Sequence, residues 1–353
     1  MERDLEHEGV SGYAEGVPAV GIIANPAAGK DIRRLVAHAS TFDNLEKVNI
    51  VRRVLLGLAA VGVDRVLCMP DAFDIVGRAR HKLRCAPLTE PLSFEISNTD
   101  RDSTCAAAML RERGVGCIVT LGGDGTNRAV AKASRTVPLV AISTGTNNVF
   151  PRVLEGTIAG LAAGAVASGQ LDLSAVTRPT LCLEILRDGL PVDLALVDVA
   201  VCEERFVGSR AVWEPAAIRQ VVSTSARADV IGLSSIGGCL PGVVVRPDEG
   251  LAVELGSGGT RVLAPLAPGL VRAVDVAAYR RLQVGEVVDV GATRGVLALD
   301  GERELPLRAG ERIQIRLTES GPRLVDVGGA LRQAVEHGIL VPEEEAWISH
   351  TSS

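Results

Sequence analysis

The residues that could do chemistry in this chain gather in three short glycine-containing loops. Leu121-Gly122-Gly123-Asp124-Gly125-Thr126-Asn127 follows an apolar run and opens a helical pattern. Three glycines in four positions let the backbone turn tightly and bring N–H groups up to an anion with no Cβ in the way. The helix that follows, with Thr126 or Asn127 as its cap, adds the partial positive charge of its N-terminus. Asp124 is out of place in a plain phosphate cradle, since a carboxylate repels such a ligand. It fits if it takes the proton of an attacking hydroxyl, or meets phosphate through Mg2+. The alternative is a glycine turn in which Asp124 caps the helix.

Asn25-Pro26-Ala27-Ala28-Gly29-Lys30 and Ser143-Thr144-Gly145-Thr146-Asn147-Asn148 stand at comparable places, each just after an apolar run. Lys30 suits a phosphate contact, but the pattern GxxxxGK[ST] is missing, so this is no Walker A loop. The hydroxyl and amide side chains of the third loop can bind phosphate, ribose or adenine. Taken alone, a loop like the first is more often a turn than a site, and the third reads equally well as a turn with an Asx cap. Three of them on one sheet edge are improbable as an accident.

The elements that must hold these loops alternate. Strands are expected at Val20–Ala24, Arg65–Met69, Leu92–Ile96, Cys117–Leu121 and Pro138–Ile142. Between them helices are expected over Ile32–Ala39 with Asp31 as cap, over Leu45–Ala60, near 72–84, and over Ser103–Arg113 with Asp100 or Asp102 as cap. Such alternation builds βαβ units and a mostly parallel, doubly wound sheet, whose ligands bind where loops leave the carboxyl ends of the strands. After Pro151 an Ala/Gly-rich helix carries Leu154, Ile158, Leu161 and Ala165 on one stripe.

Beyond it the pattern is that of a β domain. Runs at Leu181–Leu186, Leu194–Val201, Val243–Val245, Val287–Val290, Val296–Leu299 and Ile313–Leu317 are punctuated by Gly, Pro and Asp, and Asp300-Gly301 is a hairpin turn. A last helix is expected around Gly329–Glu336. The chain thus divides into a flexible tail (1–17), an α/β domain (18–152), a linking helix (153–175), a β-rich substrate domain (176–328), and a C-terminal helix and tail (329–353).

Composition bounds what this fold can do. The 353 residues suit two domains, and 47% hydrophobic against 23% charged residues gives a sizeable core. A net charge of −6, with arginines only in pairs such as Arg33-Arg34, Arg52-Arg53 and Arg280-Arg281, argues against a nucleic-acid or anionic-membrane binder. The seven cysteines (68, 85, 105, 117, 182, 202, 239) form no CxxC and no cluster with the five histidines. They read as small buried hydrophobes in a reducing compartment, without a metal site built from the protein alone. His38 and His81 fall in expected helices and need no role. The acidic N-terminus and the lack of any 18-residue apolar run point to a cytoplasmic protein without integral membrane association. Thirty-eight glycines against nine aromatics favour backbone-mediated sites over stacking platforms.

Asn25-Pro26-x-x-Gly29-Lys30, Gly122-Gly123-Asp124-Gly125-Thr126 and Thr144-Gly145-Thr146-Asn147-Asn148 together resemble the NAD kinase/diacylglycerol kinase superfamily. The stretch 117–151 is most similar to its AcoX branch, ATP-NAD kinase-like proteins associated with acetoin catabolism. The resemblance runs from about 18 to 330. It implies an α/β domain plus a β-sandwich-like domain, with ATP, its Mg2+ and the acceptor between them. On this chain it makes Asp124 the base that deprotonates the acceptor hydroxyl. Gly122, Gly123, Gly125 and Thr126 would hold phosphates, with Asn25, Gly29, Lys30, Thr144, Gly145 and Thr146 completing the nucleotide site. Asn147 and Asn148 match the family's amide/acid pair, but the lipid kinases carry Asn-Asp there and this chain has Asn-Asn.

In the second domain, Leu196-Val197-Asp198-Val199 resembles the family's Asn-Glu/Asp motif that contacts the dinucleotide, with Val197 in place of the amide. Leu233-Ser234-Ser235-Ile236-Gly237-Gly238 is similar to the Ser-Ala-Gly-Gly segment of NAD kinases, without the preceding Thr-Gly-Ser-Thr-Ala-Tyr. Asp300-Gly301-Glu302 matches the Asp-Gly-Glu of the lipid-kinase branch, where it helps organise the nucleotide site; it reads equally as a hairpin turn. Cys202-Glu203-Glu204-Arg205-Phe206-Val207-Gly208 reads as solvated charge at a strand end. The expected protein is a homo-oligomeric, ATP-dependent kinase acting on small-molecule nucleotides, with NAD as acceptor. A lipid or small-alcohol kinase and a nucleotide-binding regulator without turnover are the alternatives.

Overall fold

The structure, a computed structural model, describes residues 18–29, 43–81, 83–145, 147–202, 217–291, 295–301, 303–308 and 310–341. Lys30, Thr146, Glu302, the segment 203–208, His38, both tails and the helix expected over Ile32–Ala39 lie outside the described residues.

The first half is a doubly wound sheet. Strands β1 (Ala19–Ala24), β2 (Arg65–Cys68), β3 (Leu88–Pro91), β4 (Cys117–Gly122) and β5 (Leu139–Ser143) run parallel in the order β3-β2-β1-β4-β5. β1, β4 and β5 are short apolar runs buried almost throughout because helices cover both faces, whereas the edge strand β3 is Leu-Thr-Glu-Pro and half exposed. Helices α1 (Asn44–Ala60), α2 (Ile75–Arg80), α5 (Gly156–Ala167) and α8 (Val327–Glu336) pack on one face, around Val20, Ile22, Val119 and Ile142. Helices α3 (Asp100–Glu112) and α4 (Asp124–Ser134) pack on the other, around Ile23, Ile118 and Leu139. The chain returns to this sheet late. The short β17 (Leu324–Val325) pairs parallel with β5 and antiparallel with β6 (Thr177–Arg178).

Several expectations shift. The third strand is Leu88–Pro91 rather than Leu92–Ile96: its register on β2 is closed by the Leu92 N–H donating to the Cys68 carbonyl (2.9 Å), and an Arg65–Glu90 ion pair (2.7 Å) crosses the two strands. The expected helix 72–84 contracts to α2. Helix α3 is capped by Thr99, whose hydroxyl accepts from the Arg101 N–H, and not by Asp100 or Asp102.

Helix α5 buries only part of its predicted stripe: Ala165 is in the core, but the stripe does not face it as a whole. Leu154 precedes the helix and Ile158 is 41% exposed, while Ala159, Gly160, Ala162, Ala163 and Val166 face the core. The cause is backbone-to-backbone contact with α1. A Cβ on Gly160 would lie 2.3 Å from the Val54 carbonyl oxygen, and one on Gly57 would lie 2.4 Å from that of Thr157. Small residues must therefore face the neighbour here, whatever the hydrophobic pattern.

The second half is two antiparallel sheets. One has the order β12-β11-β10-β9-β14-β15 and the other β13-β16-β7-β8. The strands are β7 (Cys182–Arg187), β8 (Leu190–Ala195), β9 (Asp198–Cys202), β10 (Ile218–Ser223), β11 (Glu249–Ala267), β12 (Leu270–Gln283), β13 (Val287–Asp289), β14 (Gly295–Leu299), β15 (Arg303–Leu307) and β16 (Ile313–Thr318). Alternation along β9 sends Val199 and Val201 into the core between the sheets, and Ala200 and Cys202 into the core on the opposite face. The run read as one strand, Leu194–Val201, is broken at Leu196–Val197, where the chain leaves one sheet for the other. Val243–Val245 forms no strand; Val243 and Val245 pack half-buried against the outer core. None of the seven cysteines is in a disulfide, and Cys85 is exposed rather than buried. Among the described residues no helix is long and apolar enough to cross a membrane.

Candidate functional site

The strand order reverses direction between β1 and β4: from β1 the chain builds outward through β2 and β3, then returns to lay β4 on the other side of β1. At such a switch point the loops leaving adjacent strands diverge and open a crevice. The loops after β1 and β4, with that after β5 beside them, meet there.

Two glycines at the end of β4 are dictated by contact. A Cβ on Gly122 would lie 2.4 Å from the Thr126 Cβ, and one on Gly123 would lie 2.8 Å from Asn148 Oδ1. Gly123 is the N-cap of α4, without a side-chain cap bond, and Asp124 opens the helix. Thr126 and Asn127, expected as caps, lie inside the helix with other work. The Thr126 hydroxyl accepts from Asn25 Nδ2 (2.9 Å), which ties the first loop to the second. Asn127 accepts from the Thr120 hydroxyl (2.7 Å) and donates to the Gly123 carbonyl (2.8 Å).

Asp124, 7% exposed, holds the third loop. Its Oδ1 accepts the N–H of Phe150 (2.8 Å), and both oxygens accept that of Val149 (3.1 Å). In the same loop the Asn148 amide donates to the Ser143 hydroxyl (2.8 Å), which donates to the Gly145 carbonyl (3.0 Å). Thr144 is buried, and its hydroxyl has no partner among the described residues. In the first loop Asn25 Oδ1 accepts the Ala27 N–H (2.9 Å), and Gly29 sits at φ +82°, a left-handed conformation that glycine tolerates.

The opposite wall comes from the β domain. Asp300 and Gly301, both at positive φ (49° and 64°), turn the β14–β15 hairpin as expected. The Asp300 carboxylate points inward and accepts three consecutive N–H groups, those of Leu196 (3.1 Å), Val197 (2.8 Å) and Asp198 (3.2 Å). This bracket is what breaks the run Leu194–Val201 into two strands. Arg128, four residues along α4 from Asp124, reaches across from the α/β domain. Its guanidinium donates to the Leu299 carbonyl and lies 3.6 Å from Asp300 Oδ2, with both side chains buried. Burial pushes the Asp300 carboxyl above its ordinary range, opposed by Arg128 and the three amides. Asp198 Oδ2 in turn accepts the N–H of Ser234 (3.2 Å), whose hydroxyl is buried with no partner among the described residues.

These walls enclose a cleft of about 930 Å3. Asn25, Gly29, Gly123, Asp124, Gly125, Thr126, Asn147, Asn148, Asp198 and Asp300 all line it, so loops far apart in sequence are brought together. Gly122, Thr144, Gly145 and Ser234 stand behind that lining. Sequence reading missed Asp71 after β2, and Asn98, Thr99 and Asp100 at the start of α3, as residues of the site; they also line the cleft. The misplaced third strand hid the second group. It missed Arg128 as well, although its i+4 spacing from Asp124 was a usable signal. Asp71 accepts the N–H groups of Phe73 (2.9 Å) and Ile75 (3.1 Å), and burial pushes its carboxyl up against those bonds. Six aspartates (71, 100, 102, 124, 198 and 300) line the cleft, against Arg128 as the cation among the described residues.

Comparison with known proteins divides the chain where the sheets divide. Residues 20–169 match the ATP-NAD kinase N-terminal domain, and residues 181–320 match the acetoin catabolism protein X C-terminal domain. Over 341 residues the chain is 40% identical to acetoin catabolism protein X of Cupriavidus necator, covering 93% of this chain and 95% of that protein. It is 27% identical over 283 residues to NAD kinase of Heliobacterium modesticaldum, covering 73% of this chain and 90% of that one. Among solved structures, a putative diacylglycerol kinase from Bacillus anthracis str. Sterne aligns over 88% of this chain and 98% of its own, with a TM-score of 0.45 and 14% identity.

Proposed function

The chain belongs to the acetoin catabolism protein X family, and from that premise we propose that it is an ATP-dependent kinase transferring a phosphoryl group to a hydroxyl of NAD or an NAD-like acceptor. One observation carries this reading. The loops after β1, β4 and β5 converge at the switch point on a single cleft, with Asp124 between them and the β domain opposite. Its volume lies at the upper end of small-molecule sites, as two ligands require.

The residues fit a magnesium–ATP complex. Phosphates suit the backbone around Gly29, Gly123 and Gly125, where a side chain on Gly123 would already collide with Asn148. The six lining carboxylates repel a bare polyphosphate, so a divalent cation carried by the nucleotide is needed. Among the described residues no group of three His, Cys, Asp or Glu side chains could hold one alone. Bound Mg2+ supplies charge neutralisation. Asn147 and Asn148 offer amides to ribose or adenine in a cleft poor in aromatics.

Phosphoryl transfer asks chiefly for positioning, with a base near the acceptor hydroxyl. A carboxylate has about four lone-pair sites. The Val149 and Phe150 amides therefore fix the aim of Asp124 without exhausting its capacity to take that proton. Asp198, held by Ser234 and by the Asp300 bracket, faces the acceptor from the β domain.

The deciding experiment offers MgATP to the purified protein with a panel of NAD, NADH, diacylglycerol and small diols. Phosphorylated NAD supports the proposal, and phosphorylated lipid or diol replaces it with the second kinase reading. Tight nucleotide binding with no product on any acceptor makes the protein a nucleotide-binding regulator.

A further inference from the structure

Lys47, on the first turn of α1, is fully buried, yet it touches the cleft only through the loop it supports. Its ammonium donates to three main-chain carbonyls of the first loop, those of Asn25 (2.8 Å), Ala28 (2.5 Å) and Pro26 (3.3 Å), and to Asn44 Oδ1 (3.1 Å). Taking an ammonium out of water is costly, and this site repays it with four oxygen atoms, three of them from a single turn.

In a trans peptide the carbonyl of one residue and the N–H of the next point in opposite directions. Turning the Ala28 carbonyl down onto Lys47 therefore turns the Gly29 N–H away from it, and Ala28 and Gly29 line the cleft. The Ala27 N–H, raised in the same way by the Pro26 carbonyl, is taken by Asn25 Oδ1. Gly29 at φ +82° completes a concave turn of the kind whose N–H groups receive anions. The other end of the loop is fixed by Asn25, whose side chain reaches Thr126 and whose N–H reaches the Leu121 carbonyl (3.1 Å).

We infer that Lys47 is the positioning residue of the polyphosphate subsite: its buried ammonium pins the Asn25–Gly29 turn with carbonyls inward and the Gly29 N–H toward the ligand, and places a fixed positive charge beneath an otherwise acidic cleft. The inference rests on the reading of the cleft as a nucleotide site. Lys47 touches no ligand itself. It acts through the loop, so its removal weakens the polyphosphate and leaves the acceptor alone.

The test is calorimetric titration of the full chain with magnesium tripolyphosphate and with MgATP, alongside thermal unfolding, for wild type, Lys47→Met and Asn44→Asp. Lys47→Met keeps the length of the side chain and deletes the charge. Binding of both ligands is expected to weaken at least about tenfold, the scale of a lost charge-assisted hydrogen bond. The KM for ATP rises while the KM for the acceptor stays, and amide exchange at Ala27 and Gly29 speeds up. A merely structural lysine would lower the unfolding temperature and leave this split absent. Should Lys47→Met fail to fold, Asn44→Asp decides, since its carboxylate competes with the loop carbonyls for a retained ammonium. A several-fold loss of tripolyphosphate affinity in a stable protein is expected there. If a folded variant binds tripolyphosphate as wild type does, the inference about Lys47 is wrong and the nucleotide site stands. If wild type itself binds neither ligand, the nucleotide reading falls, and the inference with it.

Discussion

Asp124 and Asp300 belong to opposite walls of the cleft and make the same kind of bond. Each carboxylate accepts the N–H groups of consecutive residues, Val149 and Phe150 for one, Leu196 to Asp198 for the other. They differ in what else reaches them. Asp124 opens a helix and keeps a small exposed surface on the cleft. The Asp300 side chain is wholly shut in, with Arg128 as its counter-charge. One bonding pattern thus serves two ends. An aspartate that braces a loop and still meets solvent can exchange a proton with a ligand, whereas one sealed behind a guanidinium can only hold the backbone in place.

That contrast can be broken from both sides. Asp124→Asn should lower kinase turnover by about 10²–10⁴-fold, the range of general acid–base catalysis, with little change in unfolding midpoint. Full turnover in the purified variant would reduce Asp124 to a brace. Arg128→Met should act on stability instead, because it strands Asp300 as a buried charge without its partner. A loss of about 3–5 kcal/mol in denaturant unfolding is expected, and a variant as stable as wild type would mean that Asp300 is already neutral.

A pH series sharpens the same point. A carboxyl raised in the folded state binds its proton more readily there than in the unfolded chain. Its contribution is therefore fully present below the ordinary carboxylate range and is lost as pH rises through the folded value. Asp300→Asn should flatten this part of the stability profile, above the ordinary aspartate range. An unchanged slope would assign it to another group, of which Asp71, also raised by burial, is the first to examine. The smallest effect is expected at Asp198. Asp198→Ala removes the acceptor for the Ser234 N–H and should cost on the order of 1 kcal/mol, read by the same unfolding experiment.

Four strands of the parallel sheet were legible because they are short, mostly apolar runs and the helices begin and end at polar or glycine punctuation. The edge strand Leu88–Pro91, Leu-Thr-Glu-Pro, carries no such signal, and its expected place lies four residues late. Asn25–Gly29, Gly122–Asn127 and Ser143–Asn148 could be found for the same reason: a turn after a buried strand must be made of residues that tolerate it. Other features were hidden because their cause lies far off in the chain. Leu194–Val201 is an apolar run broken in sequence by Asp198 alone, and the Asp300 carboxylate a hundred residues later bends it before that point, at Leu196–Val197. Ile158 looked like core on periodicity, but contact of Gly57 with Gly160 chose the other face of the helix. Lys47 reads as an ordinary helix lysine until the first loop folds over it.

By itself, the sequence determined the alternation of elements, the three loops at one sheet edge and the identity of the aspartate among them. These depend on local steric freedom and hydrophobic period, which neighbouring residues fix. The tertiary structure alone decided which charges are buried, what each carboxylate holds and how the two domains are joined. A charge enters an interior only where distant backbone groups gather to replace water, and no local pattern records that gathering.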